Sequence, residues 1–398
     1  MFRRYAISEI GDIISGATPK TTVPDNFGGE IPWLTPADLS GYTGKYISHG
    51  ARNLTRQGYD SCSTHLMPAG TVLLSSRAPI GYVAIAKNEI CTNQGFKSIV
   101  PKTFVNSEFL YYQLKSLKNT LQNLGSGTTF KELSAKKLAT VQVVIPSLEE
   151  QKSIVSKIEE LFSRLDASVA ELQTAKEKLK VYRQAVLKET FGSVQLKSKR
   201  VTIKSVCETI KVGIVIKPTQ YYVEQGGVLA FRNANVRRNY IEDKDWAMIS
   251  QEGHQKNLKS QVHIGDVLIA RSGVNLGMAA TVPQKYDGYN AIDVVIAVPK
   301  KEFILSQYLA QYTNSPYGLE IVRKNQHGAA QGHLNVKEYG NLPICLPTIP
   351  EQYNLLERIE SRLSVCDSIQ QTIDTSLQQA EALRQSILKR AFEGELAT

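Results

Sequence analysis

No run of about 18 apolar residues occurs in the chain, so no membrane-spanning helix is expected. The start is equally bare. Arg3 and Arg4 are followed by Ser8, Glu9, Gly11 and Asp12, which break any apolar stretch, so a secretory leader is not expected. Five cysteines stand far apart, at Cys62, Cys91, Cys207, Cys345 and Cys366, and give neither a disulfide framework nor zinc spacing. That fits a reducing cytoplasm, the expected location. Six histidines (His49, His65, His254, His263, His327, His333) form no metal-ligand spacing, and the last two flank Gly328 and Gly332 as in a loop. Gly125-Ser126-Gly127-Thr128-Thr129 lacks the Gly-Lys-Ser/Thr of a phosphate-binding loop. Asn314-Ser315-Pro316-Tyr317 is similar to the Asn-Pro-Pro-Tyr of adenine methyltransferases. It lacks the first proline, follows a helix, and has no glycine-rich cofactor loop upstream, so a helix-ending turn explains it better. No nucleophile–base pair stands out. No catalytic residue and no metal site is expected.

What is present is a globular composition, 42% apolar, with a formal charge of +10 and a pI near 9.2. The basic balance is compatible with a polyanionic partner, since each neutralised phosphate releases counterions, but many basic proteins bind no nucleic acid. The strongest internal signal is a repeat. Pro146-Ser147-Leu148-Glu149-Glu150-Gln151 returns as Pro347-Thr348-Ile349-Pro350-Glu351-Gln352, a lag of 201 from Gln151 to Gln352. The same lag carries Arg183-Gln184-Ala185-Val186-Leu187-Lys188 onto Arg384-Gln385-Ser386-Ile387-Leu388-Lys389. Gly70 to Leu74 resembles Gly265 to Ile269, and Trp33 to Leu39 resembles Ala230 to Val236, at looser lags. The chain is a tandem duplication with variable fronts and better-matched backs.

Each back reads as one long helix. Ile154, Ile158, Leu161, Leu165, Ser168, Leu172, Ala175, Leu179, Tyr182 and Val186 step by four and three, the seam of a coiled coil. The second copy uses Leu355, Ile359, Cys366, Ile369, Ile373, Ala380, Leu383 and Ile387. Pro146 and Ser147 mark the start of the first helix and Gly192 its end, with Ser193 to Arg200 as a polar, basic linker. Each front mixes short strands (Gly70–Ser75, Tyr82–Ala86, Ser98–Pro101, Val141–Ile145; Val228–Phe231, Val267–Ala270, Ala279–Val282, Val294–Val298) with a helix from Ser107, capped by Asn106 or Ser107 itself, or from Phe303. The expected boundaries are a globule over 1–148, a helix over 149–192, a globule over 193–349 and a helix over 350–398.

Several segments resemble one family, the specificity subunits of Type I restriction-modification systems. They are Ile7 to Pro19, Ile31-Pro32-Trp33-Leu34, Thr92-Asn93-Gln94-Gly95-Phe96, the Pro/Glu-Gln segments and the two Arg-Gln-x-x-Leu segments. The second half departs from the pattern, with Lys211-Val212-Gly213-Ile214-Val215 at the opening and Asn290-Ala291-Ile292-Asp293 opposite Asn93 to Phe96. The resemblance implies an α+β fold: two tandem α/β target recognition domains, separated by two long helices packed as an antiparallel coiled coil. It implies that the domains dock in the major groove of double-stranded DNA and read the two halves of an asymmetric, bipartite site. The coil would space them. A helix over Ile154 to Phe191 would run roughly 57 Å at 1.5 Å per residue, longer than the roughly 34 Å of one turn of B-DNA. Two methyltransferase subunits would dock on the chain and take a flipped adenine, and restriction/translocase subunits would join them. S-adenosylmethionine, ATP and Mg would sit in those partners, and no cofactor in this chain.

Base readers should be basic, amide or hydroxyl residues on loops. In the first globule the candidates are Thr18, Lys20, Thr35, Arg77, Asn93 and Gln94; in the second, Arg232, Asn233, Asn235, Arg237, Arg238, Arg271 and Asn275. Thr128, Thr129 and Lys131 are phosphate candidates, and Arg183 and Arg384 are expected subunit contacts. Solvated loops with capping amides compete with every one of these assignments. Two other functions compete with the whole: a self-contained DNA methyltransferase or nuclease, which needs a cofactor or metal motif, and a coiled-coil assembly protein with no DNA role.

Overall fold

The computed structural model describes residues 3–127, 131–324 and 333–396. They form two compact units: Met1–Leu172 with Asp374–Thr398, and Gln173–Ile373. Both long helices are therefore divided between units, which the linear boundaries above do not anticipate.

The first unit holds a five-stranded sheet. Gly11–Ser15, Lys97–Pro101, Val72–Leu74 and Val83–Ala86 run antiparallel in that order, and Tyr46–Ile47 adds parallel to the last. Lys97–Pro101 and Val72–Leu74 begin with residues buried on both faces, so they read as continuous apolar runs. Trp33–Leu34 pairs parallel with Cys91–Thr92, and Arg3–Ala6 pairs antiparallel with Gln142–Ile145. Helix Ser107–Ser116 covers the sheet, its first turn capped by Asn106, whose Oδ1 accepts from Phe109 N at 2.9 Å.

The second unit repeats the plan. Cys207–Val212, Val294–Pro299, Val267–Ala270 and Ala279–Thr281 form an antiparallel four-stranded sheet. Ala247–Ile249, Val228–Phe231 and Asn290–Ala291 form a second sheet, and Lys199–Thr202 pairs with Pro343–Leu346. Its covering helix runs Ser306–Asn314, three residues later than the sequence suggests.

The first long helix spans Leu148–Lys197 and the second Ile349–Glu393. Gly192 therefore lies inside the first helix, and Ser193 to Arg200 is not a linker. The helix continues to Lys197 and a strand begins at Lys199. A Cβ on Gly192 would stand 2.9 Å from the Tyr317 hydroxyl, so glycine there admits a close neighbour. Burial of Phe191 and Val194 offsets its cost of about 1 kcal/mol to the helix.

Both helices start the same way. Ser147 N donates to Glu150 Oε2 at 3.0 Å and Glu150 N to Ser147 Oγ at 3.3 Å, a capping box. Thr348 N donates likewise to Glu351 at 2.8 Å. The glutamine that follows is fully buried in both copies. Gln151 Nε2 donates to Phe104 O and Pro146 O, both at 2.9 Å, and its Oε1 accepts from Asn106 N at 2.7 Å. Gln352 repeats this with Phe303 O, Pro347 O and Leu305 N. The repeated glutamine clasps each helix start to the front of its own globule.

The other ends of the helices are exchanged. Ile387, Leu388 and Ala391 lie in the core of the first unit with Ile154, Ile158, Phe109 and Leu110. Leu187, Phe191 and Val194 lie in the core of the second, with Tyr308, Leu355 and Ile359. Phe392 meets Phe109 edge-on at 5.2 Å, and Phe191 meets Tyr312 at 5.5 Å. Within each unit the two helical segments run antiparallel. In the second, Arg183 pairs with Asp367 at 2.7 Å and Glu189 with Arg362 at 2.8 Å; in the first, Arg384 pairs with Asp166 and covers the Phe162 ring at 4.5 Å. The expected seam is uneven. Ile158, Cys366 and Ile373 are buried, whereas Ser168, Tyr182, Ile369 and Leu383 are exposed. Ile158 is buried within the core of the first unit, whereas Cys366 and Ile373 are buried along the helices and belong to neither globule core.

Among the described residues no helix is long and apolar enough to cross a membrane, and no cluster of His, Cys, Asp or Glu fits a metal ion. Asn314 is buried between two short helices. Its Oδ1 accepts from Ala279 N at 2.9 Å, and its Nδ2 donates to Ala279 O at 2.8 Å, so it ties helix to sheet.

Candidate nucleic-acid interface

Three segments singled out in the first half meet at one edge of the first unit. Gly16 lies hard against the carbonyls of Thr92 and Asn93, where any Cβ would collide, and Ala17 N donates to Thr92 O at 3.0 Å. Trp33 Nε1 donates to Ala17 O at 3.1 Å, and Asn93 N to Leu34 O at 2.8 Å. Ser76 N reaches Gly95 O at 2.7 Å, which brings Arg77 to the same edge. Thr18, Asn93, Gln94 and Arg77 are thus neighbours through backbone pairing, with Thr35 at the turn after Leu34.

Their side chains differ in availability. Thr35 is occupied by the turn it caps, its Oγ1 donating to Asp38 at 2.8 Å. Asn93 Oδ1 accepts from Gly95 N at 2.8 Å, a local turn bond. Thr18 hydrogen-bonds the Gln94 carbonyl, which leaves the Gln94 amide on the exposed side. Lys20 is exposed. Arg77 shares the Glu132 carboxylate (3.4 Å) with Lys97 (3.8 Å). Sequence reasoning missed Lys97 and Glu132. Lys97 is nearly buried, and burial, assisted by Arg77, pulls its ammonium below the usual lysine range against the opposing pull of Glu132. Lys131 is exposed beside Glu132; Thr128, Thr129 and His327 lie outside the described residues.

The second unit builds the same edge from different chemistry. Gly213 abuts the carbonyl of Ala291 as Gly16 abuts Thr92, Ile214 N donates to Ala291 O at 2.8 Å, and Ile292 N to Phe231 O at 2.7 Å. Here Asn233 is the hub. Its Oδ1 accepts from Arg271 N at 2.8 Å, its Nδ2 donates to Ser272 at 2.9 Å and reaches Asp293 at 3.4 Å, and its carbonyl accepts from Asn275 Nδ2 at 2.9 Å. Arg271 also contacts Asp293 at 3.3 Å and Leu334 O at 3.1 Å. Arg232, at the start of the same loop, is exposed. Asn235 faces inward, fully buried, donating to Glu242 O and Lys244 O. Arg237 folds back toward Glu242 at 3.7 Å, and Arg238 lies exposed beyond it. Of the sequence candidates, Arg232, Asn233, Arg271 and Asn275 gather at one edge, while Asn235 serves the fold.

Arg183 and Arg384 each hold an aspartate across the helix pair inside their own unit. A cleft of about 900 Å³ opens between the second globule and the helical segments of its own unit, lined by Arg183, Arg238, Tyr240, Tyr353, Glu357 and Glu360 among others. At the matching place in the first unit Lys45 bridges Glu108 and Glu159.

Comparison with known proteins follows this geometry. Residues 2–177 match the family described as the Type I restriction modification DNA specificity domain. The chain is 48% identical over 152 residues to the Type I restriction enzyme MjaIX specificity subunit of Methanocaldococcus jannaschii, a match covering 38% of this chain and 35% of that one. It is 25% identical over 416 residues to the EcoBI specificity subunit of Escherichia coli, covering 99% of this chain and 86% of that one. The chain thus spans about a third of one relative and most of the other. Among solved structures, a chain from a study of assembly and conformational transition of the type I R-M system superposes with a TM-score of 0.75 at 20% identity, covering 99% of this chain and 98% of that one. The HsdS subunit from Thermoanaerobacter tengcongensis superposes at 0.56 and 18%, covering 99% and 97%. These two likenesses are of fold.

Proposed function

We propose that the chain, whose residues 2–177 match the Type I restriction modification DNA specificity domain, is the DNA-reading, non-catalytic member of a methyltransferase and endonuclease complex. Each globule reads one half of an asymmetric, bipartite target, and the paired helices space the two. Two methyltransferase subunits dock on the chain and restriction subunits join them, with S-adenosylmethionine, ATP and Mg held by those partners. The work is done in the cytoplasm, where the DNA is.

The observation that carries this reading is the repeated edge. One backbone arrangement recurs in both units, Gly16 on Thr92 and Gly213 on Ala291, yet the side chains it presents differ: Lys20, Arg77 and Gln94 in one, Arg232, Asn233 and Arg271 in the other. Conserved scaffolding with altered polar groups suits two readers of unlike sequences, since arginine and amide side chains pair with guanine and adenine edges in the major groove.

The test is to co-express the chain with its methyltransferase subunit and map methylated adenines across a genome. A split target with a fixed unread gap is expected. Replacing residues 1–148 by another recognition domain should change one half of that target and leave the other. A continuous short site, or methyl transfer by the isolated chain, would count against the reading.

A further inference from the structure

Two apolar side chains stand out at the edge of the second unit. Val274 is 97% exposed and Ile216 77% exposed. Single exposed apolar residues are ordinary on protein surfaces, so exposure alone decides nothing. What distinguishes Val274 is its mounting. It forms the middle of a one-turn helix, Gly273–Asn275, at the tip between strands Val267–Ala270 and Ala279–Thr281. Gly273 starts the turn at φ +71° and Gly277 leaves it at φ +79°, conformations that favour glycine. Leu276 N donates to Gly273 O at 3.1 Å, Met278 N to Asn275 O at 2.8 Å, and Gly277 N to Ala270 O at 2.8 Å. Asn275, 8% exposed, anchors the tip by its bond to Asn233 O. The valine is held out on a hydrogen-bonded pedestal, and its β-branched side chain has little rotamer freedom left to lose.

Its surroundings state what it meets. The pedestal stands on Asn233, the residue that also ties down Arg271 and follows Arg232. Asp293, whose carboxylate contacts Arg271, donates its N to Ile214 O at 3.1 Å, so an acidic group also belongs to this edge. An apolar knob ringed by guanidinium and amide groups does not suit a lipid or an apolar protein groove. It suits a base-pair edge, where polar atoms and one methyl group lie side by side. In the major groove only thymine carries that methyl, at C5, and apolar side chains read it.

We propose that Val274 is a specificity-determining residue that reads the C5 methyl group of a thymine in the half-site bound by the second globule. The inference rests on the DNA-reading function above. The experiment uses the chain in complex with its methyltransferase subunits and a duplex carrying the target defined by methylation mapping. Each thymine of the second half-site is replaced singly by deoxyuridine, which pairs identically but lacks the methyl. At one thymine the replacement is expected to weaken binding roughly fourfold, the worth of one buried methyl group. In Val274→Ala the two duplexes should bind equally, the remaining loss being on the thymine duplex. Thymines of the first half-site should be insensitive to Val274→Ala. A second half-site without an A·T pair, a uracil effect at no position, or one that survives Val274→Ala, would overturn the proposal. So would insensitivity to uracil together with lost partner binding in Val274→Ala, which would mark the tip as a protein contact. Failure of the DNA-reading function itself is separately visible, as absence of any defined methylated target for the unaltered complex.

Discussion

Gln151 and Gln352 show how much one buried amide can hold. Each satisfies two backbone carbonyls and one backbone N–H that burial would otherwise leave without partners. In Gln151→Leu those groups are stranded, and a loss of about 2–4 kcal/mol is expected, read by denaturant unfolding. Glu150→Ala, exposed at the same capping box, should cost only about 1 kcal/mol. Lys45 makes a different kind of contact, bridging the carboxylates of Glu108 and Glu159. Partial burial alone would lower its affinity for a proton, but hydrogen bonds and charge from the two glutamates raise it above the usual lysine range. Glu108 is lowered: burial works against this, and Lys45 and Tyr46 overcome it. A carboxylate lowered on folding contributes stability above its unfolded value near 4.5 and loses it as pH falls through the folded value. Lys45 contributes below its unfolded value near 10.5 and loses its share as pH rises through the folded one. Lys45→Met should therefore destabilise the first unit by about 1–2 kcal/mol at pH 7, less than for a fully buried pair. Its stability should also depend less on pH between 3 and 5 than that of the unaltered chain, in unfolding titrations across that range.

At the scale of elements, the exchanged helix ends matter more than the ion pairs along the helices. Arg384 and Arg183 bond aspartates that are mostly exposed, so Arg384→Ala should cost within about 1 kcal/mol. Phe392 packs on Phe109 in the first core, and Phe191, itself fully buried, on Tyr308 and Tyr312 in the second. Phe191→Ala should cost about 3–5 kcal/mol. Its damage should fall on the second unit, seen as faster amide exchange in Ser306–Asn314, with Ser107–Ser116 unchanged. The alternation of apolar residues by four and three told of long helices, and the strands of both fronts lay where β-branched runs placed them. The exchange of ends was not legible. A seam residue buried by a helix and one buried by a globule obey the same periodicity, so Ile387 looks like any other step, while Leu187 and Leu388, one position off the seam, carry no periodic signal. The candidate edge was half legible for a related reason. Short polar side chains serve loops as readily as ligands, so Asn235, Thr35 and Asn93 were chosen although they satisfy turns. Val274 went unnoticed because an apolar residue in a polar loop carries no pattern.

For the whole molecule, the units do not coincide with the two repeats: the first joins two separated segments, and the second is one stretch that begins inside one long helix and ends inside the other. Each combines a globule, the start of its own helix and the end of the other repeat's helix. Truncation before Asp374 should leave the second unit folded and open the core of the first, because Ile387, Leu388 and Ala391 depart. Hydrogen exchange should then show lost protection in Ser107–Ser116 and retained protection in Val267–Ala270.

That arrangement also sets an order of events during synthesis. The first globule emerges early yet lacks the residues that seal its interior until Ile387, Leu388 and Ala391 have been made. At about 5–20 residues per second this is a wait on the order of tens of seconds. Until then it shows an oily face to chaperones and proteases. A chain that stops before Ile387 is therefore open at the far end of its sequence, in the globule that was made first.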